Sequence, residues 1–166
     1  MTATRKPLFD RLAALGIETV THEHPPVFTV EEARRHCAQL PGGHCKSLLL
    51  RNKKRALWLM VALDDTRIDL KALTRTLSAG RLSFASPELL AEALGVIPGA
   101  VTPFALINDR EQRVTVVLDR AMLDRDPLNY HPLENDATTA IAPADLLRFI
   151  EACGHRPLVL DLDRPA

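Results

Sequence analysis

Cys45-Lys46-Ser47-Leu48-Leu49-Leu50-Arg51, Asn52-Lys53-Lys54 and Ala56-Leu57-Trp58-Leu59-Met60-Val61-Ala62-Leu63 are two apolar runs joined by a charged turn. That is the form of an antiparallel hairpin. Upstream, Pro41-Gly42-Gly43 breaks a helix that starts at the Thr29 cap and runs to about Leu40, with Glu32 completing a capping box. Further upstream, Ile17 to His22 alternates as a strand into Pro25-Pro26. Leu8, Leu12 and Leu15 mark a first helix from Pro7 to Leu15, stopped at Gly16. Downstream, Asp69 to Leu77 reads as a short helix and Leu82 to Ala85 as a strand. Ser86 and Pro87 open a helix that Gly95 ends.

Phe104 to Asn108 and Arg113 to Leu118 read as a second hairpin around Asp109-Arg110-Glu111, and Asp124 to Leu133 as irregular chain. Thr138 to Ile141 is a strand, Pro143 to Ala152 a helix closed at Gly154, and Pro157 to Leu162 a last strand. Hairpins between separate helices predict an α+β fold: a curved, mixed, mainly antiparallel sheet with helices packed around it, formed as one domain over residues 1–166.

The length of 166 residues suits one domain with a real core, and 46% hydrophobic and 25% charged residues describe a chain that folds unaided. Twenty-one basic residues balance twenty-one acidic ones, so any nucleic-acid contact rests on a local patch, and a general DNA-binding reading loses weight. Three cysteines without paired spacing fit a reducing compartment, taken as the cytosol. The absence of an apolar leader or an apolar run of membrane-spanning length argues against export and a membrane partner.

Gly95-Val96-Ile97-Pro98-Gly99-Ala100-Val101-Thr102-Pro103-Phe104 is the most informative loop. Two glycines around a proline let backbone approach a ligand, and successive free N–H groups make an oxyanion cradle. Taken alone, the loop reads first as an ordinary helix-to-strand connection, since glycine and proline are the default turn residues. Lys46 places a charge inside an apolar run, facing either solvent or a cleft.

These stretches occur in a fixed order with His24-Pro25-Pro26, Thr29-Val30-Glu31-Glu32-Ala33 and Asn129-Tyr130-His131-Pro132. In that order they resemble the free-standing prolyl-tRNA editing proteins, the YbaK-like family that also supplies the editing insertion of bacterial prolyl-tRNA synthetase. His131, followed by Asn135-Asp136, looks most like the branch that clears alanine from tRNA for proline; the cysteine-clearing branch is the nearer competitor.

The resemblance implies Lys46 as the main functional side chain, a site lined by the Gly95 to Gly99 loop, and His131 at the amino-acid pocket. Ser47 and Leu49 depart from the asparagine and phenylalanine expected in alanine-specific relatives. It also implies tRNA, held by its acceptor end, as substrate, prolyl-tRNA synthetase as a second candidate partner, and no cofactor.

The chain has no Gly-x-Ser-x-Gly elbow and no evident Ser/His/Asp set. That fits what the resemblance implies: an already activated aminoacyl ester, whose expected chemistry is water attack assisted by the substrate's own vicinal hydroxyl. Gly95, Gly99 and the amides from Val96 to Ala100 would cradle the oxyanion, with Lys46 gripping the terminal nucleotide. Val27, Phe28, Ser47, Leu48, Pro98, Ala100 and His131 are the expected substrate walls. Arg51, Lys53 and Lys54 are the expected tRNA contacts.

Three rival readings stand beside this one. Zinc could be drawn from His22, Glu23, His24, His36, Cys37, His44 and Cys45, although no two stand at a familiar ligand spacing, so no metal is expected. Cys45 beside Lys46 could be a thiolate nucleophile. The same pocket could hold tRNA or an amino acid without turnover.

Overall fold

The computed structural model of the chain describes residues 5–162. Its central hairpin pairs β2 (Gly43–Arg51) with β3 (Leu57–Leu63), Cys45 opposite Leu63 and Arg51 opposite Leu57. Asn52 fixes the turn by accepting the Ala56 N–H at 2.9 Å and donating to the Ala79 carbonyl at 2.8 Å.

Side chains alternate across a strand. Leu49, Leu59 and Val61 therefore enter the main core while Leu50, Met60 and Ala62 enter a smaller one. The main core receives α1 (Arg5–Ala14) through Leu8 and Leu12, α4 (Pro87–Leu94) through Leu90 and Leu94, and α5 (Pro143–Ala152) through Phe149 and Ile150. The smaller one receives α3 (Leu70–Leu77) through Leu73, while α2 (Val30–Cys37), capped by Thr29, buries Cys37.

The remaining strands are β1 (Val20–Glu23), β4 (Ser83–Phe84), β5 (Val114–Asp119), β6 (Leu128–Tyr130), β7 (Ala137–Ile141) and β8 (Leu158–Leu160). The sheet runs β1-β7-β6-β2-β3-β5-β8, with β4 also on β2. Among the described residues four of its seven pairings are antiparallel and three parallel, a mixed and mainly antiparallel sheet as expected. No helix among the described residues is long and apolar enough to cross a membrane.

The second hairpin does not form. Pro103–Asn108 is a 3-10 turn capped by Thr102, whose hydroxyl accepts the Phe104 N–H at 3.3 Å, and β5 runs parallel to β3. A short apolar run carries no period that separates a buried strand from a buried turn, and here Pro103 and Thr102 decide it. Phe104 packs edge-on against Tyr130 and Phe149. Asp109, read as the tip of a charged turn, is instead a buried anchor that accepts from the Arg113 and Val114 N–H groups and pairs with His155 at 2.9 Å. The stretch from Asp124 to Leu133, expected to be irregular, holds β6. β6 is seated by the start of β2, a long-range pairing that local pattern does not carry.

That seating needs Gly42. At φ +94, a Cβ there would lie 2.0 Å from the Pro127 carbonyl oxygen, which accepts the Gly43 N–H at 2.8 Å. Gly42→Ala is expected to cost about 2–4 kcal/mol through backbone strain and loss of this close approach. Chemical denaturation should show it, whereas an unchanged midpoint contradicts this account of the β2–β6 junction.

Candidate functional site

On the edge away from β3, β2 pairs with β6 only at Gly43 and His44, and with β4 only at Leu50 and Arg51. Between them the edge opens. The Gly43 N–H and the Leu49 carbonyl both point that way, to the Pro127 carbonyl and the Ala85 N–H. Two-residue alternation then aims the backbone of Cys45 and Ser47 at the same edge. Ser47 lies in the gap, with no strand opposite it on that side among the described residues.

Two pieces of chain frame this gap. The first is Pro25 to Phe28. His24 donates its N–H to the Asp136 carbonyl at 3.0 Å, Val27 donates to the Asn135 carbonyl at 3.0 Å, and the Asn135 amide returns a bond to the Val27 carbonyl at 2.8 Å. Arg5 braces this end by pairing with Glu23, Glu134 and Asp136.

The second piece is Ile97-Pro98-Gly99-Ala100, closed by the Ala100 N–H on the Ile97 carbonyl at 3.0 Å. Proline followed by glycine at φ +91 is the composition of a type II turn. A Cβ on Gly99 would come within 3.3 Å of both the Val27 carbonyl and the Phe28 ring, so glycine lets the two pieces meet.

Between them lies a cavity of about 450 Å³ lined by Val27, Phe28, Lys46, Ser47, Leu48, Phe84, Pro98, Gly99, Val101 and His131, among others. Adjoining it is a recess of about 50 Å³ that reaches Cys37, His44, Asn129, Tyr130 and Thr138, with the paired Arg34 and Asp64 also in its lining. Val30, Ala33, Cys45, Ser47, Val101 and His131 line both, so they stand at the junction.

The structure thus gathers Val27, Phe28, Lys46, Ser47, Leu48, Pro98, Gly99 and His131 around one cavity. Gly95 and Ala100 lie outside its lining. Gly95 is the left-handed cap of α4 and gives its N–H to Ala91, while Ala100 is buried and gives its own to Ile97. Both amides are spent on turn closure, and Val96 and Ile97 also lie outside the lining, so of the expected cradle the Gly99 N–H remains; the Ser47 N–H of β2 is a further candidate that the sequence reading did not name. Lys46 sends its ammonium to the Thr66 carbonyl. Its side chain belongs to the face of Leu48 and Leu50, opposite that of Ser47.

Lys53 and Lys54 form a separate basin of about 350 Å³ with Asn52, Gly80 and Arg81. Lys53 lies six residues along the chain from Ser47, past the end of β2, and at most about 22 Å away. Sequence reading missed Arg81 in this basin and Phe84 at the cavity. Both lie between α3 and α4, where only the pairing of β4 with β2 brings them in.

Burial sets the chemistry of the junction. It pushes the Cys45 thiol up to about 12, outweighing the opposing hydrogen bonds to Tyr130 and the Asn129 backbone, and holds the Tyr130 phenol well above its ordinary range. Burial also lowers His131, against the raising effect of its bond to the Ala137 carbonyl. That carbonyl, 2.9 Å from Nδ1, accepts the proton, leaving Nε2 of the neutral ring as an acceptor. His24 spends both ring nitrogens, on the Pro25 carbonyl and on the Thr138 hydroxyl. Among the described residues no three His, Cys, Asp or Glu side chains gather as a metal site.

Residues 24–149 match the model of the aminoacyl-tRNA editing domain. The chain belongs to that family. It is similar to prolyl-tRNA synthetase associated domain-containing protein 1 of Danio rerio, 45% identical over 96% of this chain and 88% of that protein. It is also similar to prolyl-tRNA editing protein ProX of Acetoanaerobium sticklandii, 34% identical over 95% and 97%. A crystal structure of a candidate trans-editing enzyme for prolyl tRNA synthetase shares the fold, with a TM-score of 0.72, 24% identity and 99% of each chain covered.

The raised Cys45 pKa makes its thiolate scarce. At pH 8 a thiol at about 12 holds roughly a thousandth of the thiolate of one at the ordinary 9.0. Alkylation of native protein, mapped by mass spectrometry, should therefore leave Cys45 unmodified on the timescale that labels an unfolded control. Equal labelling contradicts this picture of the junction. The folded state keeps a proton that the unfolded chain releases, so this contribution to stability declines as pH rises above about 9.

Proposed function

We propose that this editing-domain chain acts in trans on mischarged tRNA for proline and hydrolyses its aminoacyl ester, with alanine the residue it removes. The observation that carries the reading is the 50 Å³ recess adjoining the larger cavity. Such a space takes a side chain of one or two heavy atoms and excludes the three-methylene ring of proline, as a second sieve must. Away from the junction its polar groups are already engaged: Asn129 donates to the Pro41 and Gly43 carbonyls, Thr138 bonds His24, His44 bonds the Leu40 carbonyl, and Arg34 pairs with Asp64. A methyl group therefore suits it better than a hydroxymethyl.

The ester carbonyl then sits at the junction, where the Ser47 and Gly99 amides are the candidate donors to the tetrahedral oxyanion. A donor of this kind is worth about 2.7–4 kcal/mol in acyl transfer. Water adds to the carbonyl carbon, the bond to the ribose oxygen breaks, and the ribose leaves with a proton as its hydroxyl. The substrate's vicinal hydroxyl assists, so no protein nucleophile is required, in keeping with the neutral Cys45. His131 Nε2 accepts from the amino group or the water. Lys46, released from Thr66, grips the terminal nucleotide. Arg51, Lys53, Lys54 and Arg81 meet stem phosphates. The whole chain is proposed to work as one editing unit, with the synthetase as a candidate partner, in the reducing cytosol that suits its three free cysteines.

Deacylation of tRNA for proline charged with alanine, cysteine, serine or proline, at a protein concentration well below that of the tRNA, tests the reading. Multiple turnovers with the alanine ester ahead of cysteine and serine, and an intact proline ester, are expected. Stoichiometric binding without turnover contradicts it in favour of a binding module; a proline ester cleaved as fast as alanine overturns the sieve.

Lys46→Ala should lower kcat/KM by roughly 10- to 150-fold, the value of one hydrogen bond to a charged group. Unchanged hydrolysis removes Lys46 from the mechanism. The pH profile of kcat/KM should be flat near neutrality and fall on acidification, with an inflection below the ordinary histidine value of 6.5 because burial depresses His131. An inflection above 6.5 contradicts the role of its neutral ring.

A further inference from the structure

Phe28 and Phe84 are 62% and 61% exposed, and both line the 450 Å³ cavity. Ile97, beside the Pro98-Gly99 turn, is also exposed at 40%. Large apolar side chains gathered at the mouth of a cavity mark a place where something binds. These two rings come from different pieces of chain. Phe28 follows Val27, which Asn135 clamps from both sides, and rests on Gly99. Phe84 stands on β4, opposite Leu50 of β2. Each ring is therefore set on backbone fixed elsewhere, the arrangement that holds an aromatic surface ready.

The cavity is also too large for its amino-acid occupant. If the 50 Å³ recess takes the side chain, the adjoining 450 Å³ space takes the group that carries the ester. On the reading above, on which this inference rests, that group is the terminal nucleoside of an RNA. Its base is a flat aromatic ring at the end of a single strand, and such bases are held by stacking on aromatic side chains with little regard to sequence.

We propose that Phe84 and Phe28 form an aromatic clamp for the 3′-terminal nucleobase of the tRNA, Phe84 supplying the stacking face and Phe28 closing over the other side. The clamp places the ribose at the cavity and hence the ester at the Ser47 and His131 junction. It positions substrate and takes no part in bond breaking, so its loss raises KM and leaves kcat nearly intact.

An uncharged RNA hairpin ending in a single-stranded tail, with 2-aminopurine as its 3′-terminal base, reads the stack directly because stacking quenches that fluorophore. Wild-type protein should quench it on binding. Phe84→Ala and Phe28→Ala should each abolish most of the quench and weaken binding roughly 10- to 100-fold, within the range of one base stacked on an aromatic ring. Phe84→Trp should restore both. The exposure of both rings predicts melting temperatures close to wild type, which separates a lost stack from a lost fold.

Quench and affinity unchanged in both alanine variants overturn the clamp, as does weaker binding with quench retained, which would mark these rings as a surface for another partner. The two proposals fail separately. Quench without deacylation in the wild type removes the editing reaction and keeps the clamp. Deacylation without quench does the reverse.

Discussion

The site depends on how the edge of β2 is filled. A strand inside a sheet must pair its backbone on both sides or leave groups that another partner will seek. β3 meets that demand along one edge, but the other is divided between β6 at the start and β4 at the end, leaving Ser47 between them. The close approach of Gly42 to Pro127 fixes where the pairing with β6 begins, and the Asn52 turn fixes where the hairpin ends. The gap is bounded from both directions by elements held elsewhere in the fold.

The gap becomes a site because the pieces of chain over it are themselves held by backbone. Val27 is bonded through both its N–H and its carbonyl, and the Pro98-Gly99 turn packs against it closely enough that a Cβ on Gly99 would crowd it at 3.3 Å. Burial then removes charge from the junction, raising Cys45 and Tyr130 and lowering His131. Lys46 is the charged side chain at the cavity, and it reaches the space from the other face of the strand. A mostly apolar wall, two candidate amides, the Lys46 cation and an Arg34–Asp64 pair already closed on itself suit an ester that is already activated and needs orientation more than it needs a nucleophile.

Much of this was legible in local sequence. The β2–β3 hairpin, the Pro143 to Ala152 helix, the Thr29 and Ser86 caps and the Gly95 stop all follow from caps, turns and periodicity, which act over a few residues. The cavity residues from Val27 to His131 came from the joint order of their motifs, because neither Lys46 nor the Gly99 turn is distinctive alone. What failed was non-local. Phe104 to Asn108 is an apolar run with no period, and its true state depends on Phe149 and Tyr130. Gly95 and Ala100 sit in a loop suited to a cradle, yet the hydrogen bonds that spend their amides appear only once the turn is closed. Phe84 carried no signal, since its place follows from a two-residue strand pairing with β2.

The central claim is that the open edge at Ser47, facing the Gly99 turn, receives the aminoacyl group. The most direct measurement is an amide-resonance titration with an adenosine whose 3′-oxygen is replaced by nitrogen carrying alanine, a stable amide in place of the ester. Saturable shifts of the Ser47 and Gly99 amides, with His131 ring signals moving in step, are the predicted result. Saturable binding that moves amides elsewhere and leaves Ser47 and Gly99 still would contradict the account.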